Sequence, residues 1–119
     1  MKKVNLAEKF ASFDAAWTPK ILGEVNQAQV KIFKARGEFV WHRHPDEDEF
    51  FLVVSGQLHL KMKEGEVVLN PGEFYIVPKG VEHLPYALKE AHVLLFEPKG
   101  VVNTGDANSE KTVEDLEWL

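Results

Sequence analysis

The chain has 119 residues, of which 45% are hydrophobic and 28% are charged, the size and balance of one folded domain with its own core. Its net charge of −5 and its small set of guanidinium groups, Arg36 and Arg43, argue against nucleic acid or an anionic membrane as a partner. The absence of cysteine excludes disulfides, thiolate nucleophiles and cysteine-based zinc sites, and it fits the reducing cytoplasm in which we expect the protein to work.

The first 23 residues predict a helical arm. Asn5 is typical of a helix N-cap, and Glu8 follows it at the spacing of a capping box. Apolar residues then recur at helical spacing: Leu6, Phe10 and Phe13. The sequence therefore predicts a short amphipathic helix that packs on the rest of the chain. Glu8 and Lys9 interrupt the apolar residues, so we expect no signal peptide here.

Residues 24–97 predict a β-barrel. Short extended segments are separated by turn residues about every 8–12 positions, which is typical of an antiparallel sandwich or barrel. In one of them, Ala28, Val30 and Ile32 alternate with polar residues. The segment from Phe50 to Val54 is apolar on both faces, so its outer face should be covered by the helix or by a second subunit. We expect a homodimer.

The last segment, residues 98–119, predicts a tail on a single domain that spans residues 1–119. Its sequence is rich in loop-forming and acidic residues. It ends in Trp118 and Leu119, whose apolar bulk favours packing back on the barrel.

A cluster of metal-binding residue types lies in the middle of the chain. His42 and His44 are one residue apart, and on a strand such a pair points to the same face. Glu49 and His83 complete a set of three nitrogens and one oxygen if the fold brings them together. The acids at 46–48 compete with Glu49, but acidic turn residues are usually solvated.

The spacing of these residues resembles the first motif of the cupin superfamily. That motif is a glycine, five residues, H-x-H, three or four residues, a glutamate, six residues and a glycine. The matching residues here are Gly37, His42, His44, Glu49 and Gly56. Gly37 lies one residue closer to His42 than the pattern asks, which changes no ligand.

The second cupin motif follows in the expected order. It is a glycine, five residues, P-x-G, two residues, a histidine, three residues and an asparagine. The matching residues are Gly72, Pro78, Gly80 and His83, and Ala87 stands where the motif has its asparagine. The resemblance covers roughly residues 30–96 and implies a small single-domain cupin of the cupin-2 type. The implied fold is an all-β, antiparallel double-sheet β-barrel of jelly-roll type, with a metal inside.

The resemblance implies His42, His44, Glu49 and His83 as the metal ligands. This donor set suits Fe, Mn, Ni, Cu or Zn as a divalent ion. Four protein ligands leave one or two positions open for a substrate. By resemblance, we expect a metal-dependent oxidoreductase of dioxygenase type that acts on a small oxygen-bearing organic molecule. The alternatives are an isomerase or decarboxylase, a non-catalytic protein that binds or senses a small molecule, and a metal that only stabilises the barrel.

Four further polar residues are weaker site candidates. Tyr86 follows His83 by three residues and is the candidate catalytic hydroxyl, with Glu97 as another possible acid or base. His59 and His92 each alternate with apolar neighbours, which predicts that both face away from the core.

Overall fold

The computed structural model describes residues 2–119 and places the helix where the sequence predicts it. Helix α1 spans Leu6–Ala11, and the side chain of Asn5 accepts a hydrogen bond from the backbone N–H of Glu8 at 3.0 Å. Phe10 is buried and stacks on His92 with 4.4 Å between the ring centroids. The helix therefore covers part of the outer surface of the barrel.

The rest of the described chain is built mainly of short strands. In chain order they are β1 (Lys20–Val25), β2 (Ala28–Glu38), β3 (Glu49–Ser55), β4 (Leu58–Met62), β5 (Gly65–Leu69), β6 (Phe74–Val77), β7 (His83–Pro98) and β8 (Glu117–Trp118). All pairings are antiparallel except that of β8 with β1. The prediction of a small all-β, double-sheet barrel with a short N-terminal helix is confirmed.

Strand β7 organises the sheets. The strand order is β5-β4-β7-β2-β1-β8, and β3 lies beside β7 with β6 on its other edge. The first part of β7 pairs with β4, and its later part pairs with β3. Because β7 is 16 residues long, it joins both layers of the barrel. The first strand begins at Lys20, so sheet structure starts before residue 24, where the sequence places the barrel.

The inward-facing residues of the strands form an aromatic and aliphatic core. Its largest members from β2 and β3 are Phe33 and Phe51. Lys31 shares the inward direction of Phe33 on β2 and is 1% exposed. The polar residues that alternate with Ala28, Val30 and Ile32 on β2 thus face the interior of the barrel. Lys31 forms an ion pair there with Glu97 of β7 at 3.0 Å.

The turn between β3 and β4 packs directly on β7 at Gly56. This residue has a φ of +80°, and a Cβ atom there would lie 2.6 Å from the carbonyl oxygen of Glu90 and 2.8 Å from the Cα of Ala91. Both the backbone conformation and the space require glycine. This contact gives a physical reason for the glycine that closes the first motif.

The C-terminal segment packs back on the barrel. Its strand β8 pairs with Lys20 and Ile21 of β1, and the backbone N–H of Leu119 donates to the carbonyl of Ile21 at 2.9 Å. The tail therefore packs back as expected, but through backbone pairing rather than apolar burial, since Trp118 is 55% exposed. None of the helices found within residues 2–119 has the length and apolar character needed to cross a membrane.

Candidate metal centre

His42 and His44 lie on a segment that departs from regular strand structure. Residues 39–48 connect β2 to β3, and His42 makes an isolated bridge with His83. The backbone N–H of each donates to the carbonyl of the other, at 3.0 and 2.9 Å. The carbonyl of His44 accepts from the N–H of Gly80 at 2.9 Å. The two histidines are thus held by a few separate backbone hydrogen bonds to residues of the second motif, and not by continuous strand pairing.

The structure brings the four candidate ligands together inside the barrel. His42, His44, Glu49 and His83 each offer one donor atom, and these atoms all lie within 4.8 Å of one another. All four side chains are buried, with no residue more than 4% exposed. Four converging donors in a water-poor interior are the arrangement that a preformed metal site needs.

Backbone carbonyls orient two of the three imidazoles. Nδ1 of His42 lies 2.9 Å from the carbonyl oxygen of Val40, and Nδ1 of His83 lies 3.0 Å from that of Val81. Each Nδ1–H donates to its carbonyl, which leaves the Nε2 lone pair of the neutral ring free. This is how outer hydrogen bonds commonly fix the tautomer of metal-binding histidines.

The remaining nitrogens lack satisfactory partners. Nε2 of His83 lies 3.1 Å from Oε1 of Glu49, so a nitrogen lone pair of the neutral ring faces a carboxylate oxygen. A proton or a metal ion has to lie between two such acceptors. Nε2 of His44 lies 3.2 Å from the same oxygen and has no hydrogen-bond partner among residues 2–119. A divalent cation would satisfy both nitrogens, so the donor set fits a metal.

Burial and mutual charge shift the pKa values of this cluster. Burial, followed by the charge of His83, lowers the pKa of His42 to about 4. Burial alone would raise the pKa of Glu49, but His44 and His83 hold it well below its ordinary value. Burial also opposes protonation of His44, but the Glu49 carboxylate outweighs it and raises the pKa of His44. Glu49 is therefore charged and His42 neutral near pH 7, which are the forms that bind metal.

A narrow, largely apolar pocket reaches the cluster. Its volume is about 30 Å³, room for about two water molecules. His42 and Glu49 form part of its wall. The other lining residues are Trp17, Pro19, Phe33, Phe39, Phe51, Pro85, Leu95 and Asn103. Trp17 lies far from both motifs along the chain, and no local sequence signal places it at the pocket.

A buried ion pair lies beside Glu49. Phe50 pairs with Phe96 across β3 and β7, so the same register puts Glu49 opposite Glu97. Glu97 accepts a hydrogen bond from Lys31 through Oε1, and its Oε2 has no hydrogen-bond partner in the described part of the chain. Burial and the charge of Glu49 raise the pKa of Glu97 to about 7 in spite of Lys31. Of the two candidate acids or bases, Glu97 is therefore the one inside the barrel.

The structure does not bring Tyr86, His59 or His92 to the cluster. Tyr86 donates its hydroxyl to Glu66 at 2.6 Å and stacks on His59, away from the pocket. His92 lies under Phe10 of the helix. The outward directions predicted for His59 and His92 agree with these positions. Tyr86 has no contact through which its hydroxyl reaches the candidate ligands.

Comparison with known families agrees with this geometry. The family described as "Cupin domain" matches residues 30–98, which includes both motifs and all four candidate ligands. The chain belongs to the cupin family. As in the two-motif pattern, this cupin takes three candidate ligands from the segment before and at β3 and the fourth from the start of β7.

Three relatives illustrate what this cupin is similar to. A cupin-2 domain protein from Shewanella frigidimarina is 42% identical, with a TM-score of 0.80 over 81% of this chain and 94% of its own. Protein YdbB of Bacillus subtilis is 38% identical over 66% of this chain and 65% of its own length. A protein of Saccharolobus solfataricus, provisionally named a dioxygenase, is 25% identical over 73% of this chain. The chain spans 21% of that longer protein.

Proposed function

We propose that this cupin is a metal-dependent oxidoreductase of dioxygenase type. In this proposal, His42, His44, Glu49 and His83 bind one divalent transition metal, and the protein adds both atoms of O₂ to a small organic molecule that carries one or two oxygen donors. The observation that carries the proposal is the meeting of four buried donors, two of which, on His42 and Glu49, lie at the wall of an apolar pocket. The ion is Fe, Mn, Ni, Cu or Zn by its ligand chemistry, and a redox-active one is needed for oxygenation.

Each candidate site residue has its own role in this proposal. A redox-active metal held by His42, His44, Glu49 and His83 would supply the activation of O₂ and the polarisation of a substrate oxygen. The carbonyls of Val40 and Val81 hold the rings of His42 and His83 in the orientation that presents Nε2. The Glu49 carboxylate offsets part of the cationic charge. Apolar walls, including Phe39 and Phe51, exclude water from the reacting groups.

Two further observations favour oxygenation over isomerisation. Isomerisation by proton transfer needs an acid or base within hydrogen-bond reach of the substrate. Among the side chains that the structure places around the pocket, His42 and Glu49 are the titratable ones, and both are candidate ligands. The Saccharolobus solfataricus relative, which is provisionally named a dioxygenase, supports the same class.

A non-catalytic protein that binds or senses a small molecule is the second candidate. The lining of the pocket favours it, because the titratable side chains among the described lining residues are His42 and Glu49, both candidate ligands, which leaves no separate acid or base for catalysis there. A sensing protein would bind its ligand at the same open metal positions without consuming O₂.

The proposal also covers the assembly and the location of the protein. We propose a single cupin domain that dimerises through the outer face of β3 and β6. Phe74 and Ile76 are 58% and 46% exposed there, and Phe50 stacks on Phe74 at 5.0 Å. An exposed apolar sheet face of this kind is typical of an interface, and two-fold symmetry is the commonest arrangement of homo-oligomers. The lack of cysteine supports a cytoplasmic location.

Metal content and O₂ uptake together test the function. Protein purified without added metal is analysed for transition metals, then depleted and reloaded with Fe(II), Mn(II), Ni(II), Cu(II) or Zn(II). O₂ consumption is followed with a panel of catechols, hydroquinones, β-diketones and 2-oxo acids. We expect substrate-dependent O₂ uptake by the wild type with a redox-active ion and none by His83→Ala. Stoichiometric metal and tight binding of a panel compound without O₂ uptake would instead support the sensing function.

A further inference from the structure

The segment that carries His42 and His44 needs support from outside the two motifs. Residues 39–48 are not part of a strand, and their backbone contacts with the barrel are isolated: the bridge between His42 and His83, the Gly80–His44 hydrogen bond and the hydrogen bond from Phe39 to Pro85. A metal site requires its donors to be fixed within a fraction of an ångström. Some other element has to hold the backbone between the two histidines.

The C-terminal tail makes three hydrogen bonds to the residue between them. The backbone N–H and the Nε–H of Arg43 donate to the two carboxylate oxygens of Asp106, at 3.1 and 3.0 Å. The backbone N–H of Asp106 donates in return to the carbonyl of Arg43 at 3.0 Å. The backbone of Arg43 is thus held on both its donor and its acceptor side.

Gly105 places the tail directly against the first histidine. A Cβ atom at Gly105 would lie 2.1 Å from the carbonyl oxygen of Arg43 and 3.3 Å from Cδ2 of the His42 ring. Any side chain would have to displace the ligand segment or the tail. The glycine therefore permits the close approach on which the Asp106 hydrogen bonds depend.

The tail is anchored independently of this contact. The Asn103 side chain donates to the carbonyl of Lys111 at 3.0 Å and accepts from the N–H of Val113 at 2.9 Å. Thr104 is fully buried, with its hydroxyl 2.6 Å from that of Thr112. These hydrogen bonds join residues 103 and 104 to residues 111–113 and fix the conformation of this part of the tail.

We propose that Asp106 and Gly105 are positioning residues for the metal centre, which hold the backbone of Arg43 so that His42 and His44 converge on the ion. This inference rests on the proposed metal-binding function. Because coupling between two sites is reciprocal, metal binding should in turn stabilise the packing of residues 103–107 on Arg43.

Cobalt binding to the full-length chain tests this role. Wild type, Asp106→Ala, Asp106→Asn, Gly105→Ala and the control Glu117→Ala are titrated with Co(II) against a chromophoric chelator. The control removes the ion pair with Lys20 elsewhere in the same tail. We expect Asp106→Ala and Gly105→Ala to weaken Co(II) binding about threefold or more, because the lost hydrogen bonds are exposed and hold the backbone between two candidate ligands. The visible absorption spectrum of the bound Co(II), which reports ligand geometry, should change with it.

Folding and function are separated by additional readouts. The melting temperature in EDTA shows whether each variant is folded. Asp106→Asn keeps an acceptor for the backbone N–H of Arg43. It should therefore bind Co(II) with intermediate affinity, even if the alanine variant is unstable. Hydrogen exchange at residues 103–107 should slow when Co(II) binds to the wild type. Wild-type affinity and an unchanged spectrum in folded Asp106 variants would overturn the positioning role alone. Failure of the wild type to bind any transition metal would overturn the proposed function and this inference together.

Discussion

His83 and Glu49 face each other through atoms that both accept hydrogen bonds. Nε2 of His83 lies 3.1 Å from Oε1 of Glu49, while Nδ1 of the same ring lies 3.0 Å from the carbonyl of Val81. The neutral ring donates from Nδ1, so Nε2 and Oε1 need a cation between them. His44 presents a second unpartnered nitrogen to the same oxygen. The site is thus arranged for either protons or a metal ion.

Metal binding should release a proton. The pKa of His44 is raised by Glu49, and the metal requires the neutral ring. Metal affinity should therefore rise with pH up to the raised pKa of His44 and level off above it. His42, with its pKa lowered to about 4, should release no proton near neutral pH. Calorimetric titration with Zn(II) in buffers of different ionisation enthalpy measures the protons released, and buffer-independent heats between about pH 6 and 7 would contradict this.

Glu97 should make the metal-free protein less stable as pH rises. Its pKa is about 7 in the folded state, against an ordinary value of 4.5. Between these two pH values the folded state therefore binds more protons than the unfolded state. The free energy of unfolding should fall across this window, by on the order of 3 kcal/mol from this group, and level off above it. His42 acts oppositely between about pH 4 and 6.5, since its folded pKa is lowered.

The variant Glu97→Gln isolates this contribution. Unfolding by urea in EDTA is measured for both proteins from about pH 4.5 to 7.5. We expect the stability of the wild type to fall relative to that of Glu97→Gln as pH increases. Parallel curves would show that Glu97 titrates normally in the folded protein.

The Gly56→Ala variant should destabilise the fold itself. A Cβ atom would lie 2.6 Å from the carbonyl oxygen of Glu90, and φ is +80°. We expect a loss of about 2 kcal/mol or more in the free energy of unfolding. Gly72→Ala is the matched control, because Gly72 also has a positive φ but no atom within 4 Å of its Cβ position. Its loss should be close to the backbone strain alone, about 1 kcal/mol, and equal losses in the two variants would contradict the close contact.

The exposed face of β6 should mediate dimer formation. Ile76 on β6 pairs with Phe50 on β3, and its side chain is 46% exposed on the outer face of the sheet. Ile76→Lys would place a charge in the proposed apolar interface, so we expect a monomer by light scattering where the wild type is a dimer. Val68→Lys on β5, with Val68 40% exposed, is the control and should leave the mass unchanged. A monomeric wild type would overturn the proposed assembly.

The sequence allowed the ligand cluster to be predicted because its residues carry fixed spacings. His42, His44, Glu49 and His83 have the spacing of the two cupin motifs, and the fold brings their donor atoms within 4.8 Å of one another. The prediction that the two histidines share a strand face was less accurate. Their segment is irregular, and separate hydrogen bonds with His83, Gly80 and Asp106 hold it.

The surroundings of the cluster were harder to predict. The rule that polar residues face water gives no reason to place Lys31 in the core, where a carboxylate on β7 balances its charge. Tyr86 has the local spacing of a site residue, but its position on β7 directs it to Glu66 on the outer surface. The contact of Asp106 with Arg43 joins residues that are distant in the chain, and no periodic pattern in the sequence predicts it.

The metal content of His83→Ala tests the central claim most directly. His59→Ala is the matched control, because His59 lies on the outer face and bonds to Glu66. Each protein is depleted, reloaded with the same ion, freed of excess metal and analysed by elemental mass spectrometry. We predict about one metal per chain for wild type and His59→Ala, and only traces for His83→Ala and His42→Ala. Full metal content in folded His83→Ala would contradict the assignment of this cluster as the metal centre.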